Sequence, residues 1–408
     1  MYLCDLCRSS QAPVILSQYF KNGIDDALQN KILKIPLDQN GAVIGGPGSG
    51  KTLMASIRAK QASVKYDRVL LLVYNRPLRQ LFNLDQGNFP FDAKTYHSWM
   101  GFFYKNFFHQ KDIPHIGSDK FQLDWDKISK DFEHVDYCYD YVVVDEGQDF
   151  PHELLRILKK ISKRIMILFD PGQDIWSNLE EDDDKKRDFD IVQRAKEKTA
   201  DLLDLLGIAE SDAVRLETNF RNPKSIYEIA SKFSSDEEFD TRMNCQNTPG
   251  TSPIVYYKPG FDEYSWESIW DIVVKYVNDN PEKKVGVVLK KIIYGNRAFE
   301  ALSKRLGQQN VFLYKWKPFC FEEIDLNRQV VLLSLNTVKG LGFDSVFLVY
   351  VNGREMDTAG EKALLMRKYY VASTRAKTFL GVFCSATQAQ ARKFFGDLQY
   401  SYRSISSQ

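Results

Sequence analysis

The run Gly45-Gly46-Pro47-Gly48-Ser49-Gly50-Lys51-Thr52 constrains this chain more than any other feature. It satisfies G-x-x-x-x-G-K-[ST] at every fixed position. The residues before it, GAVIG at 41–45, read as a short buried strand, and those from Lys51 to about Lys65 read as a helix. Glycines let a turn in that place curl its N–H groups inward, and the helix N-terminus adds its positive end. A strand, turn and helix of this kind hold phosphate. Lys51 is then placed to neutralise the β and γ phosphates of a nucleoside triphosphate, and Thr52 to hold Mg²⁺.

The remaining pattern agrees with the fold such a turn demands. Short apolar runs at 68–74 (RVLLLVY), 141–145 (YVVVD) and 164–169 (RIMILF) are separated by helical stretches. That spacing predicts parallel strands with crossover helices, an α/β sheet. A second α/β set follows, with strands expected at 253–257, 284–289, 311–314, 330–335 and 345–351, and helices near 266–277 and 298–306. The 408 residues fit two or three domains. We place one domain at 1–212, with a small aromatic-rich insertion near 100–137, and a second at 213–408. The charge run EEDDDKKRDFD at 180–190 reads as a solvated edge of the first, and the tail from Tyr400 as frayed.

Lys and Arg total 55 against 54 Asp and Glu, a net charge of +1. No global field draws this chain to a polyanion, so a nucleic-acid site must be a local strip. The six cysteines are scattered, and only Cys4 and Cys7 form a C-x-x-C, without the second pair that a structural zinc needs. The pattern suits reduced thiols and a cytoplasmic location. No basic stretch followed by a long apolar run opens the chain, so no signal peptide is expected. No run of about 18 apolar residues predicts a membrane span.

The strand at 141–145 ends in two acids. It delivers Asp145 to the edge where ligands bind in such sheets, as a holder of Mg²⁺, largely through water. Glu146 is placed to orient and deprotonate the attacking water. To this point the residues describe an Mg²⁺-dependent nucleoside triphosphatase.

The acids continue as Asp145-Glu146-Gly147-Gln148-Asp149. After that phosphate turn, D-E-x-Q-D resembles the UvrD/Rep-like helicases of superfamily 1. Six more elements in order extend the resemblance: VYNR at 73–76, TYHS at 95–98, FDPGQDIW at 169–176, LETNFRNP at 216–223, TVKGLGFD at 337–344 and YVASTRA at 370–376. The resemblance implies two RecA-like domains with the nucleotide in the cleft between them, ATP and Mg²⁺ as cofactors, and single-stranded DNA as partner, RNA being open. It implies translocation, 3′ to 5′, with duplex unwinding. By the same resemblance Gln173 senses the γ phosphate or the attacking water. Arg221 and Arg375 act as arginine fingers, and Gly340 joins the nucleotide contacts. Tyr74, Asn75, Thr95, Tyr96, His97, Trp176, Thr337 and Lys339 fall where the family grips the strand, by stacking and phosphate contacts. Tyr74 and Trp176 also suit an ordinary core.

Three departures stand out. Gly342 replaces the Glu of the family's K-G-L-E-F, a residue near the nucleotide sugar. The upstream adenine-reading glutamine has two candidates, Gln29 and Gln39, neither in a clear motif. Relatives carry large accessory subdomains in two places; here the segment between His97 and Asp145 is short, and the second subdomain, between Arg221 and Lys339, is not expected. A regulatory reading therefore stands beside the motor: a nucleotide-driven switch that controls a partner protein. A small-molecule kinase is opposed by the second α/β set with Arg375.

Overall fold

The apolar strands assemble into two separate parallel sheets, one of six strands and one of seven. The computed structural model describes residues 27–73, 91–110, 112–117, 123–173, 191–234, 244–245, 250–260, 267–314, 325, 327–357, 363–396 and 401–405. Cys4, Cys7, Tyr74, Asn75, Trp176 and the 180–190 charge run lie outside the described residues. The chain forms two units. One holds residues 1–45, 50–171 and 197–216, and the other 46–49, 172–196 and 217–408. The middle of the phosphate turn and Gln173 thus belong to the second unit.

In the first unit the strands are β1 (Gly41–Gly45), β2 (Val69–Val73), β3 (Asp92–Thr95), β4 (Tyr139–Asp145), β5 (Ser162–Phe169) and β6 (Val214–Leu216). They lie in the order β3-β2-β4-β5-β1-β6, every pair parallel. Successive side chains point to opposite faces of a strand. Val43, Leu71, Val143 and Leu168 pack on one face against Met54, Ala55, Ala59 and Ala62 of helix α1 (Lys51–Lys65). Their neighbours Leu70, Leu72, Val142 and Val144 are fully buried too. A sheet covered on both faces reads as continuous apolar runs, which is why β2 and β4 are evident in the sequence. The alanines on α1 let the helix lie close to the sheet. The buried Arg58 on that helix is satisfied by Tyr141 Oη at 2.9 Å, Gln61 Oε1 at 2.9 Å and the Pro36 carbonyl at 3.1 Å. Helix α2 (Tyr96–Asn106) buries Trp99, Met100, Phe103 and Tyr104, the inner side of the aromatic-rich segment, with Phe132 stacked on Trp99.

In the second unit a short pair, β7 (Thr218–Asn219) and β8 (Asn244–Cys245), precedes the large sheet. That sheet holds β9 (Ile254–Tyr257), β10 (Val285–Leu289), β11 (Val311–Leu313), β12 (Val330–Ser334), β13 (Phe343–Asn352), β14 (Ala376–Ser385) and β15 (Ser401–Ser404). Their order is β11-β12-β10-β13-β14-β9-β15, again all parallel. Val285, Val287 and Leu289 face Ile269, Trp270 and Val273 of helix α3 (Glu267–Asp279). Val288, Val346 and Leu348 face the opposite way, with Met366 and Tyr370 of helix α4 (Ala363–Ser373). Two all-parallel α/β units of this kind are RecA-like P-loop architecture.

The C-terminal tail departs from expectation. Ser401–Ser404 pairs with Ile254–Tyr257 as an edge strand, and the Ile405 N–H donates to the Tyr257 carbonyl at 3.0 Å. Ile405 is 3% exposed. A polar sequence such as SYRS hides an edge strand because backbone bonds and one apolar anchor hold it, not an apolar run.

Candidate nucleotide site

Strand order decides which residues meet in the first unit. β5 lies between β4 and β1, so the C-terminal ends of these three strands are neighbours. Asp145 ends β4, Asp170 follows β5, and the phosphate turn follows β1. Gly50, at φ 87° and ψ 16°, is the left-handed residue from which α1 departs. A side chain there would be strained, and its Cβ would lie 2.8 Å from Gln29 Nε2. Lys51 turns back so that its ammonium donates to the Gly45 carbonyl at 2.8 Å and faces Asp170 Oδ2 at 3.6 Å. Both side chains of that pair are buried, at 5% and 1% exposure.

Thr52 donates its hydroxyl to Asp145 Oδ2 at 2.6 Å. Asp145 is fully buried, and its other oxygen, Oδ1, has no hydrogen-bond partner among the described residues. Burial, and next the adjacent Glu146 carboxylate, push the Asp145 carboxyl well above the ordinary carboxylate range; the Thr52 bond and the Lys51 charge oppose this. A divalent cation reverses such a shift. A hydroxyl beside a carboxylate with an unused buried oxygen is a hard oxygen donor set, and it fits Mg²⁺.

Glu146 leaves the strand in the left-handed region, φ 56° and ψ 44°. For a non-glycine residue that costs about 1–3 kcal/mol and is found where a site needs it. Gln148 accounts for the position of its carboxylate. The buried Gln148 amide donates to Glu146 Oε2 at 2.6 Å and accepts the Asp170 N–H at 2.9 Å. Glu146 is therefore tied, through one side chain, to the residue that pairs with Lys51. Gly147 is compelled by space, since a Cβ there would meet Ile167 Cγ2 at 2.3 Å.

The second unit gathers the expected arginines. The Phe220 N–H donates to the Gly48 carbonyl at 2.9 Å. Gly48, at φ 71°, lies so close to this segment that a Cβ would sit 2.4 Å from Asn219 Oδ1 and 2.7 Å from Arg221 Cβ. Arg221 thus packs beside the phosphate turn. Arg375 is buried, and its guanidinium donates to Gln173 Oε1 at 2.7 Å and to the Val371 carbonyl at 2.9 Å. Lys339 is buried as well, with its ammonium on the Gln173 carbonyl at 2.5 Å. Gly340 takes a left-handed φ of 80°. At Gly342 a Cβ would meet, among the described residues, Lys377 Cε at the ordinary contact distance of 3.5 Å, so the backbone there has room for a Cβ.

The residues expected to grip a strand are differently placed. Thr95 is buried and caps α2, accepting the Ser98 N–H at 3.3 Å. Tyr96 is buried against Phe150, and His97 is exposed with its ring 3.7 Å from that of Tyr96. Thr337 closes a turn on Ser334, its hydroxyl accepting the Ser334 N–H at 2.9 Å. Of the two glutamines upstream, Gln29 is buried against Gly50 and Gln39 is exposed. Residue roles read from the sequence overlooked Gln148, Asp170, Asn219 and Asn222. All four lie inside the quoted elements, so the signal was their adjacency to the chemical residues.

Elsewhere in the first unit, a cavity of about 410 Å³ is lined by Asp67, Arg68, Val69, Phe91, Asp92, Cys138 and Tyr139. It lies at the starts of β2, β3 and β4, the opposite edge from the phosphate turn. Among the described residues no helix is long and apolar enough to cross a membrane, and no cluster of three or more His, Cys, Asp or Glu suits a metal.

Residues 29–177 match the family model of an AAA domain, a nucleotide-binding module. No curated protein matches the chain. Solved structures that resemble it include the C-terminal domain of a possible DNA helicase from Lactobacillus plantarum WCFS1, at 17% identity and a TM-score of 0.31. That likeness covers 45% of this chain and 98% of the other.

Proposed function

We propose that this protein is an ATP-dependent motor of the UvrD/Rep-like helicase type, hydrolysing ATP with Mg²⁺ to move 3′ to 5′ along single-stranded DNA. We read residues 1–212 and 213–408 as its two RecA-like domains. The observation that carries the reading is the company kept by the phosphate turn. Within the first unit Lys51 faces Asp170 and Thr52 bonds Asp145, with Glu146 next in the chain; within the second unit Arg221 packs on Gly48.

Each residue then has a task. The turn's N–H groups and Lys51 hold the phosphates. Thr52 and Asp145 would hold Mg²⁺, which when bound screens the charge between the terminal phosphates. Glu146, aimed by Gln148, takes the proton of the attacking water. Arg221 and Arg375 stabilise charge on the departing γ phosphate, an effect of about 10³–10⁵ in rate for such arginines. Gln173, bonded to Arg375, reports the state of that phosphate. Tyr74, Asn75, Thr95, Tyr96, His97, Trp176, Thr337 and Lys339 are the proposed strand contacts, His97 being an exposed one.

A second reading, the nucleotide-driven switch acting on a partner protein, is favoured by Gly342. There the backbone has room for a Cβ where the family carries Glu, and the chain has glycine. Steady-state ATP hydrolysis with and without single-stranded DNA, then RNA, separates the two. Stimulation that fades with salt supports the motor, and strand displacement follows. Hydrolysis without stimulation sinks the motor and favours the switch.

A further inference from the structure

Between the two arginines lies a pair of fully buried amides to which no role has yet been given. Asn219 and Asn222 are both 0% exposed. Asn222 Nδ2 donates to the Thr374 carbonyl at 3.1 Å and to the Ala376 carbonyl at 2.5 Å. Those are the residues on either side of Arg375. Its Oδ1 accepts from Asn219 Nδ2 at 3.0 Å. Asn219 Oδ1 in turn accepts the N–H groups of Arg221 and Asn222, each at 2.9 Å. The same oxygen would lie 2.4 Å from a Cβ at Gly48, and the intervening Phe220 N–H holds the Gly48 carbonyl.

We propose that Asn219 and Asn222 are positioning residues that set Arg221, Arg375 and the phosphate turn as one unit. Only a primary amide offers two donors and an acceptor on one flat group. Asn222 spends both donors clasping the peptide carbonyls that flank one arginine. Asn219 spends its acceptor fixing the backbone of the other. A movement of the turn at Gly48 is thereby passed to both guanidinium groups together. This inference rests on the reading of the two arginines as fingers for a γ phosphate.

The test is a mutant cycle on the full-length chain, with kcat, KM and nucleotide affinity measured for each variant. Asn222→Asp keeps the shape and the acceptor but loses both donors. We expect kcat to fall roughly 100-fold, the scale of a misplacement of about 1 Å at a reacting centre, with nucleotide Kd changed less than about threefold. In an Arg375→Ala background the same substitution should cost almost nothing further, because the clasp acts through that arginine. Asn219→Asp, which retains the acceptor for Arg221, is a milder variant that covers the case in which Asn222→Asp does not fold. It should lower kcat by a smaller factor, again without weakening nucleotide binding. A merely structural pair would lower the melting temperature while leaving kcat per folded molecule unchanged, or would add fully to Arg375→Ala. Either result overturns the proposal. Wild-type kcat in Arg375→Ala itself overturns the finger reading beneath it, and is thereby distinguished.

Discussion

Lys51→Met should unfold this protein more readily even when no nucleotide is present. The side chain is 5% exposed and faces Asp170, 1% exposed, at 3.6 Å, while also donating to the Gly45 carbonyl at 2.8 Å. Removing one partner of a buried pair leaves the other charge poorly compensated, at a cost of about 3–5 kcal/mol. Methionine keeps most of the stem, so the cavity contribution is small. The 3.6 Å separation is long for an ion pair, which puts the expectation near 3 kcal/mol, at the lower end of that range. For a unit of this size that corresponds to roughly 6–12 °C in melting temperature, at about 2–4 °C per kcal/mol. The assay is calorimetry without nucleotide, because two units need not melt in one step. Adding Asp170→Asn removes the stranded charge and should return most of the loss, although both variants remain inactive. A Lys51→Met chain that melts within about 2 °C of wild type, or a double variant that melts lower still, refutes the reasoning.

Glu146→Gln should abolish hydrolysis while nucleotide binding persists; normal turnover by that variant means the water is deprotonated elsewhere. Ile405→Ala should cost about 2 kcal/mol, low in the range for a buried Ile because the site is at a sheet edge, and an unchanged unfolding midpoint would mean that β15 contributes nothing to stability. Asp140 supplies a pH test: hydrogen bonds from Arg68, then Lys163, hold its carboxyl down at about 2 against an ordinary 3.8. A lowered folded-state value gives stability that is present above about pH 4 and is lost as pH falls through about 2. The full shift is worth roughly 2 kcal/mol, but Arg68 and Lys163 are about half exposed, so screening reduces the expectation to about 0.5–1 kcal/mol. Asp140→Asn should therefore be less stable by that amount at pH 7 and equal to wild type near pH 2; urea titrations that show a constant gap across that range contradict it.

What could be read in advance follows from where each element takes its stability. β2, β4, β10 and β12 are buried on both faces, so their apolar runs survive in the sequence. β3 (DAKT) and β15 (SYRS) lie at sheet edges and are mostly polar, and β6 (VRL), also at an edge, is only three residues long. Backbone pairing places them, and no local pattern announces it. β14 is a different case: it begins at Ala376, the last residue of the element that carries Arg375, with only Thr374 and Arg375 separating it from the preceding helix, so no turn signal marks where its apolar run starts. The site divides in the same way. Lys51, Thr52, Asp145 and Glu146 are identified by spacing because the phosphate, metal and water proposed for them would impose that spacing. Gln148, Asp170, Asn219 and Asn222 touch other protein groups, and their roles depend on which strand ends are neighbours. Asp170 faces Lys51 because β5 sits next to β1, and Gln148 reaches Asp170 because β4 sits next to β5. A linear motif carries the groups that meet the ligand, whereas the groups that aim them become legible only once strand order is known.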